Sequence, residues 1–214
     1  MTTRRTGLRE QKKQATRVAL REAALRLALR HGPDRVRVDD IAEAAGVSPR
    51  TYNNYFSSRE QAIVAAVTAE REARVAAAVA AGPAHDRLAD ALTEAVLEQY
   101  TAPRAHDELR LITASPGLRD AFLDTTAAIE DPLATAIGER LGDTGTPTAR
   151  VLAASVAAAV RVALQQWLRS PDALPASAGL VVPSGSLPDL LRSALAVLAP
   201  ALDAAEEQAR RSQQ

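Results

Sequence analysis

The chain has 214 residues, of which 47% are hydrophobic and 24% charged, and 26 Lys+Arg balance 26 Asp+Glu to a formal net charge of zero. That length allows one medium domain or two small ones with a buried core, and the lack of cysteine excludes disulfides, thiolate metal sites and cysteine nucleophiles. Arg161 interrupts the longest apolar candidate, Val151 to Leu168, so no unbroken run reaches the roughly 18 residues of a membrane span; with no hydrophobic stretch behind the basic N-terminus, a cytoplasmic protein is expected.

The zero charge conceals a division. Residues 1–60 carry 13 Lys+Arg against 7 Asp+Glu, and residues 61–214 carry 13 against 19. A basic head on an acidic body points to a polyanionic partner for the head alone. Residues 1–14 hold Arg4, Arg5, Arg9, Lys12 and Lys13. They read either as a solubilising tail or as an arm that follows phosphate or the minor groove.

From Leu8 to His31 the residues Leu20, Ala24, Leu27 and His31 recur at helical spacing, with Arg17, Arg21, Arg26 and Arg30 as a solvated face. Gly32-Pro33 stops this helix. Val38, Ile41, Ala42 and Ala45 then mark a short second helix, closed by Gly46 at a position that tolerates positive φ. Ser48 reads as an N-cap and Pro49 as the first residue of a third helix. Two short helices joined by so tight a glycine-containing turn have the form of a helix-turn-helix. A fourth helix is expected from Ser57 or Ser58 to about Ala81, opened by a capping box of Ser57 with Glu60.

In such a motif the second helix enters the major groove. Here that helix is expected over Pro49 to Tyr55. Ser48, Arg50, Thr51, Asn53 and Asn54 offer short or forked hydrogen-bonding groups for base edges and phosphates. Tyr55 and Arg59 stand where a hydroxyl and a cation reach the DNA backbone.

Arg17 to Gly32, "VDDIAEAAGVS" and "RTYNNYFSSRE" together resemble the DNA-binding domain of the TetR (TetR/AcrR) family of transcriptional regulators over about residues 15–64. The resemblance implies that Tyr52 and Phe56 face inward onto Ile41, Ala45 and Val47. It also implies a homodimer bound to a double-stranded operator, and a helical C-terminal body that holds a small-molecule effector. Arg37 stands where the family usually has Thr, Asn53 where Tyr is common, and Arg59 where Lys is frequent. Relatives with a similar "GLREQKK" lead and "SPRTYNNYF" core include sensors of acyl-CoA-like and other lipophilic molecules.

Beyond residue 64, breaks at Pro103, Ser115-Pro116-Gly117, Gly142 to Pro147 and Ser170 to Pro188 leave helices near 85–101, 104–114, 118–141, 148–169 and 188–210, with Pro132 expected to kink the third of these. Tyr100, Leu109, Ile112, Phe122 and Ile129 are pocket candidates and equally ordinary core residues. Small residues such as Ala153 and Ala157 permit close helix approach. Trp167, with Val156, Val160 and Leu164 on a neighbouring face, reads as a core or dimer anchor, and these residues with Leu191, Leu195 and Leu198 are the candidates for a four-helix dimer interface.

His31, His85 and His106 are far apart and lack carboxylates at metal spacing, Asp39 and Asp40 suit a helix first turn, and no phosphate loop or nucleophile elbow is present. No enzyme, metal or cofactor is expected. The whole reads as an all-α protein: arm 1–14, three-helix helix-turn-helix domain 15–62, and effector-binding and dimerisation body 63–214. Its expected function is that of a repressor released from a palindromic operator by a small, lipophilic or acyl-CoA-like effector. The rival readings are a helical protein-interaction module and an enzyme centred on His106 and Asp107.

Overall fold

The computed structural model describes residues 3–83, 85–101, 109–113, 115–142, 147–169 and 186–212. Among them every regular element is helical. In order these are α1 (Thr3–His31), a 3-10 turn (Pro33–Arg35), α2 (Val38–Ala44), α3 (Pro49–Tyr52), α4 (Arg59–Ala81), α5 (Leu88–Thr101), α6 (109–113), α7 (Pro116–Thr125), a 3-10 turn (Thr126–Ile129), α8 (Glu130–Leu141), α9 (Pro147–Arg169), α10 (Leu187–Ala196) and α11 (Ala199–Ser212). His106 and Asp107 lie outside the described residues.

Two compact units emerge: Met1–Ala69 with Ala114–Phe122, and Glu70–Thr113 with Leu123–Gln214. In the first, Leu20, Ala23, Ala24 and Ala28 of α1, Ile41 and Ala42 of α2, and Tyr52 and Phe56 are all within 2% of complete burial. His31, expected on the inner stripe, is exposed, and Ala28 takes the inward place one turn earlier. Ala62, Ile63, Val64 and Val67 of α4, in the same unit, are also buried. Leu118 and Phe122 join the same unit from far along the chain.

Helix α1 begins at Thr3, well before Leu8. Residues 3–16 contain no proline and are rich in Arg, Lys, Gln and Glu, all good helix formers, so nothing local stops the helix from extending through the basic segment.

In the second unit α9 packs on α8 and α10, and α10 on α5. Arg140 of α8 donates to the carbonyls of Val79, Pro83 and Asp86 at 3.3, 3.4 and 2.8 Å, tying down the turn between α4 and α5. A Cβ at Gly82 would sit 2.9 Å from Arg140 Nη1, so the glycine makes room for that tie. Arg87, at the start of α5, forms an ion pair with Asp203 of α11.

Prolines account for two departures from the expected helices. Pro132 sits at the third position of α8, in the first turn, where its missing N–H costs nothing. The interruption comes just upstream, at the 3-10 turn 126–129. The segment expected at 188–210 divides into α10 and α11 because Pro200 cannot donate to the helical ladder; the chain turns at Val197 and Leu198 instead. Helix α9 is long and apolar enough to cross a membrane by length and composition, Arg161 notwithstanding. In this fold Leu152, Ala153, Val156, Ala157, Val160, Ala163 and Leu164 of that helix are core residues.

Candidate nucleic-acid interface

The helix-turn-helix is fixed by local bonds. Helix α2 ends in a Schellman arrangement: the Val47 N–H donates to the Ala42 carbonyl at 2.9 Å and the Gly46 N–H to the Glu43 carbonyl at 3.0 Å. Gly46 makes this possible at φ 70°, where a Cβ would be strained. At the other end, Asp40 accepts from the Arg37 N–H at 3.3 Å, satisfying one early donor of α2 from its own first turn.

Ser48 caps α3: its Oγ accepts from the Thr51 N–H at 3.1 Å and lies 2.9 Å from Thr51 Oγ1. The two hydroxyls therefore hold the helix start, besides whatever they offer a ligand. Helix α3 is shorter than the expected Pro49 to Tyr55. After Tyr52 the chain continues in tight turns, with Asn54 N–H on the Thr51 carbonyl at 3.1 Å and Tyr55 N–H on the Tyr52 carbonyl at 2.8 Å.

Beneath this segment lies its support. Tyr52 is fully buried and Phe56 is 2% exposed, with ring centroids 5.9 Å apart. The Tyr52 hydroxyl donates to the Ser58 carbonyl at 2.7 Å. Burial, reinforced by the nearby Glu60 charge, pushes its pKa up to about 12, so the hydroxyl stays a donor at neutral pH. Ala45 and Val47 are only half-buried and form the edge of this core.

Above it, Arg37, Ser48, Arg50, Asn53 and Asn54 are exposed, while Thr51 and Tyr55 are half-exposed. One continuous stretch therefore alternates anchors, Tyr52 and Phe56, with outward polar residues, Arg50, Asn53 and Asn54. That arrangement presents forked and amide groups rigidly to a partner's hydrogen-bonding edges.

Arg59 is placed differently from a freely extended phosphate contact. Its Nη1 donates to the carbonyls of Asp34 and Val36 at 2.8 and 2.9 Å, and its Nε to Glu60 Oε1 at 2.6 Å. The guanidinium thus ties the start of α4 to the turn after α1. Burial raises the Glu60 carboxyl's pKa, but hydrogen bonds from Arg59, its own backbone and Ser58 outweigh that and lower it below the usual range. Glu60 is consequently occupied, and the cap of α4 is Ser58 with Gln61, not Ser57 with Glu60. The Gln61 N–H donates to Ser58 Oγ at 3.1 Å, and Gln61 Oε1 accepts from the Ser57 N–H at 2.8 Å.

In the second unit Tyr100, Leu109, Ile112 and Ile129 are all buried, whereas Phe122 falls in the first unit. The sequence reading missed Arg71, which is only 3% exposed and lies over the Tyr100 ring, 4.7 Å from its centroid. The signal was present: Arg71 interrupts the stripe Val64, Val67, Val75 and Val79, so a cation occupies the apolar face of α4. Burial pushes the Tyr100 pKa up, and Arg71 opposes that shift.

Of the residues expected between subunits, Val156, Val160, Leu164, Leu191 and Leu195 are at most 3% exposed within one chain. Within one chain these residues are core, where α9 packs on α10. Trp167 and Leu198 are half-buried. Among the described residues of the second unit, the large apolar side chains directed outward are Val151 and Val162 on α9 and Val197 after α10, at 61%, 54% and 77% exposure.

Comparison with known proteins adds independent findings. Residues 20–66 match the family model for bacterial regulatory proteins of the tetR family. Residues 86–203 match the model for the MftR C-terminal domain. The HTH-type transcriptional regulator TcmR of Streptomyces glaucescens is 32% identical over 181 residues, covering 78% of this chain and 79% of that protein. A crystal structure of a regulator assigned to the TetR family, from Rhodococcus sp., shares 25% identity over 88% of this chain and 99% of its own, with a TM-score of 0.41.

Proposed function

The chain belongs to the TetR family of transcriptional regulators, and from that premise we propose that it is a homodimeric repressor released from a palindromic operator by a small molecule. The observation that carries this reading is the exposed row Arg50, Asn53 and Asn54 braced by the buried Tyr52 and Phe56. Arg50 and the two asparagines read base edges, while Arg37 and Tyr55 fix register on the phosphates. Arg59 adds positive charge to that side, chiefly by holding the frame in place.

Repression by a dimer requires two such segments about one helical turn apart, roughly 34 to 36 Å. We assign residues 15–62 to DNA recognition and 63–214 to effector binding and dimerisation. The dimer surface is built on α9 and the α10–α11 turn, from the outward Val151, Val162 and Val197 with Trp167 and Leu198 beside them. Helix α4 contributes residues to both units, which makes it the covalent route between effector and DNA. An effector releases DNA only if it binds the free form better, by about 1 to 3 kcal/mol in typical couplings.

The effector is amphipathic, with a lipophilic body and an anionic group of acyl-CoA-like character. Leu109, Ile112 and Ile129 are buried apolar side chains of the same unit as Tyr100, and the buried guanidinium of Arg71 over the Tyr100 ring supplies the cation. Selection of duplexes from random-sequence DNA by the purified chain tests the reading. Enrichment of one palindrome supports it, and recovery of unselected sequence contradicts it.

A further inference from the structure

Among the described side chains of α1, the first fully buried one is Leu20. The helix begins at Thr3, and from the exposed Arg9 to Leu20 it runs about three turns, roughly 16 Å at 1.5 Å per residue. Over residues 3–17 the sequence places Arg4, Arg5, Arg9, Lys12, Lys13 and Arg17 against the single acid Glu10. Arg9, Lys12, Lys13 and Arg17 are exposed. Gln11 to Ala15 are exposed as well, so this part of the helix gives its polar faces to solvent, as helices that bridge to a partner do.

The place where this extension leaves the domain identifies that partner. The Arg17 guanidinium lies over the Phe56 ring, 5.3 Å from its centroid. Phe56 directly follows the exposed Asn53, Asn54 and half-exposed Tyr55. The basic extension and the base-reading segment therefore meet at one point of the first unit. Arg9, Lys13 and Arg17 also follow the spacing i, i+4, i+8, with Lys12 at i+3, which keeps them on one helical face.

We propose that residues 3–17 form a helical basic outrigger that lies along the phosphates of the duplex outside the recognised half-site, enlarging the footprint without reading sequence. A flexible tail would sample many geometries. A helix continuous with the domain core instead fixes a row of cations at a constant rise. Their attraction is to phosphate, so it adds salt-dependent affinity. This inference rests on the proposed DNA-reading function.

The test uses the full chain and the duplex it enriches from random DNA, made in a minimal length and in one extended by about one helical turn at each end. The variant is Arg9→Gln/Lys12→Gln/Lys13→Gln, which alters exposed positions of a good helix-forming segment. Wild type is expected to bind the extended duplex more tightly than the minimal one. The variant is expected to lose that difference, to keep the same enriched sequence, and to show a log Kd against log salt slope shallower by about two to three units per subunit. If the variant keeps both slope and flank preference while wild type still enriches a palindrome, the outrigger is overturned and the DNA-reading function stands. A change in self-association with the DNA slope unaltered assigns the basic face to the acidic body of a second copy and overturns it equally. If wild type enriches no sequence, both fail together.

Discussion

The hydroxyl of Tyr52 donates to the carbonyl of Ser58 at 2.7 Å, joining the last residue of α3 to the residue that caps α4. This bond, inside the first unit, sets where Asn53 and Asn54 stand relative to the start of α4. A single phenol thus serves as core, as strut and as the brace for Asn53 and Asn54.

Tyr52→Phe removes the bond and leaves the ring. The expected cost in denaturant unfolding at neutral pH is about 1 kcal/mol. The pH dependence is more specific. With the folded-state pKa near 12 and the unfolded one near 10, the stabilising contribution is complete below pH 10. It falls as pH rises from about 10 to about 12, because the unfolded chain loses the proton first. Wild type should therefore lose up to about 2 to 3 kcal/mol more than Tyr52→Phe over that interval. Equal alkaline losses would show that the hydroxyl is not buried as described.

Arg59 has two duties, and substitution separates them. Because Arg59 holds the Asp34 and Val36 carbonyls and Glu60, Arg59→Met should lower stability by roughly 1 to 3 kcal/mol and weaken all duplexes alike. Arg50→Ala and Asn54→Ala should leave stability within about 0.5 kcal/mol. Each should weaken only the enriched duplex, by about 1 to 3 kcal/mol. Paired thermal melts and binding titrations measure both, and a stability loss at Arg50 matching that at Arg59 would contradict this assignment.

For the effector, Arg71→Met is the informative change. A long-chain acyl-CoA should release the enriched duplex from wild type, and the variant should need about tenfold more, the equivalent of 1.4 kcal/mol. The uncharged fatty alcohol of the same chain length should not distinguish the two. Equal acyl-CoA response in both proteins would remove Arg71 from the effector site.

The outward valines carry the dimer prediction. Val162→Glu with Val197→Glu places charge at two exposed positions, so the subunit core should survive. Sedimentation velocity should report a monomer with helical content unchanged. A dimer that persists would move the interface elsewhere.

The helix-turn-helix was legible because its determinants are local. Gly46 at positive φ, the Ser48 cap and Pro49 at a first turn all act within a few residues. What escaped depends on contacts distant in sequence. Arg59 reaches back more than twenty residues to Asp34 and Val36, and the segment around Leu118 joins a unit built mostly from residues 1–69. Apolar periodicity marked the inner faces of α9 and α10 correctly as buried faces. It does not distinguish a face buried in one's own core from one buried against a second subunit, which is why Val156 read as core or dimer anchor alike and Leu191 as a dimer candidate, and both are buried within the chain. Arg71 was readable in principle, as the charged member of an otherwise apolar stripe.

Hydroxyl-radical footprinting of the enriched duplex, with stoichiometry measured on the same complex, tests the central claim most directly. Two chains should protect two patches on one face of the duplex, centred about one helical turn apart, and protection over the half-site centres should be lost with Arg50→Ala/Asn54→Ala. One chain per duplex, or protection spread evenly along it and indifferent to those substitutions, would contradict the claim.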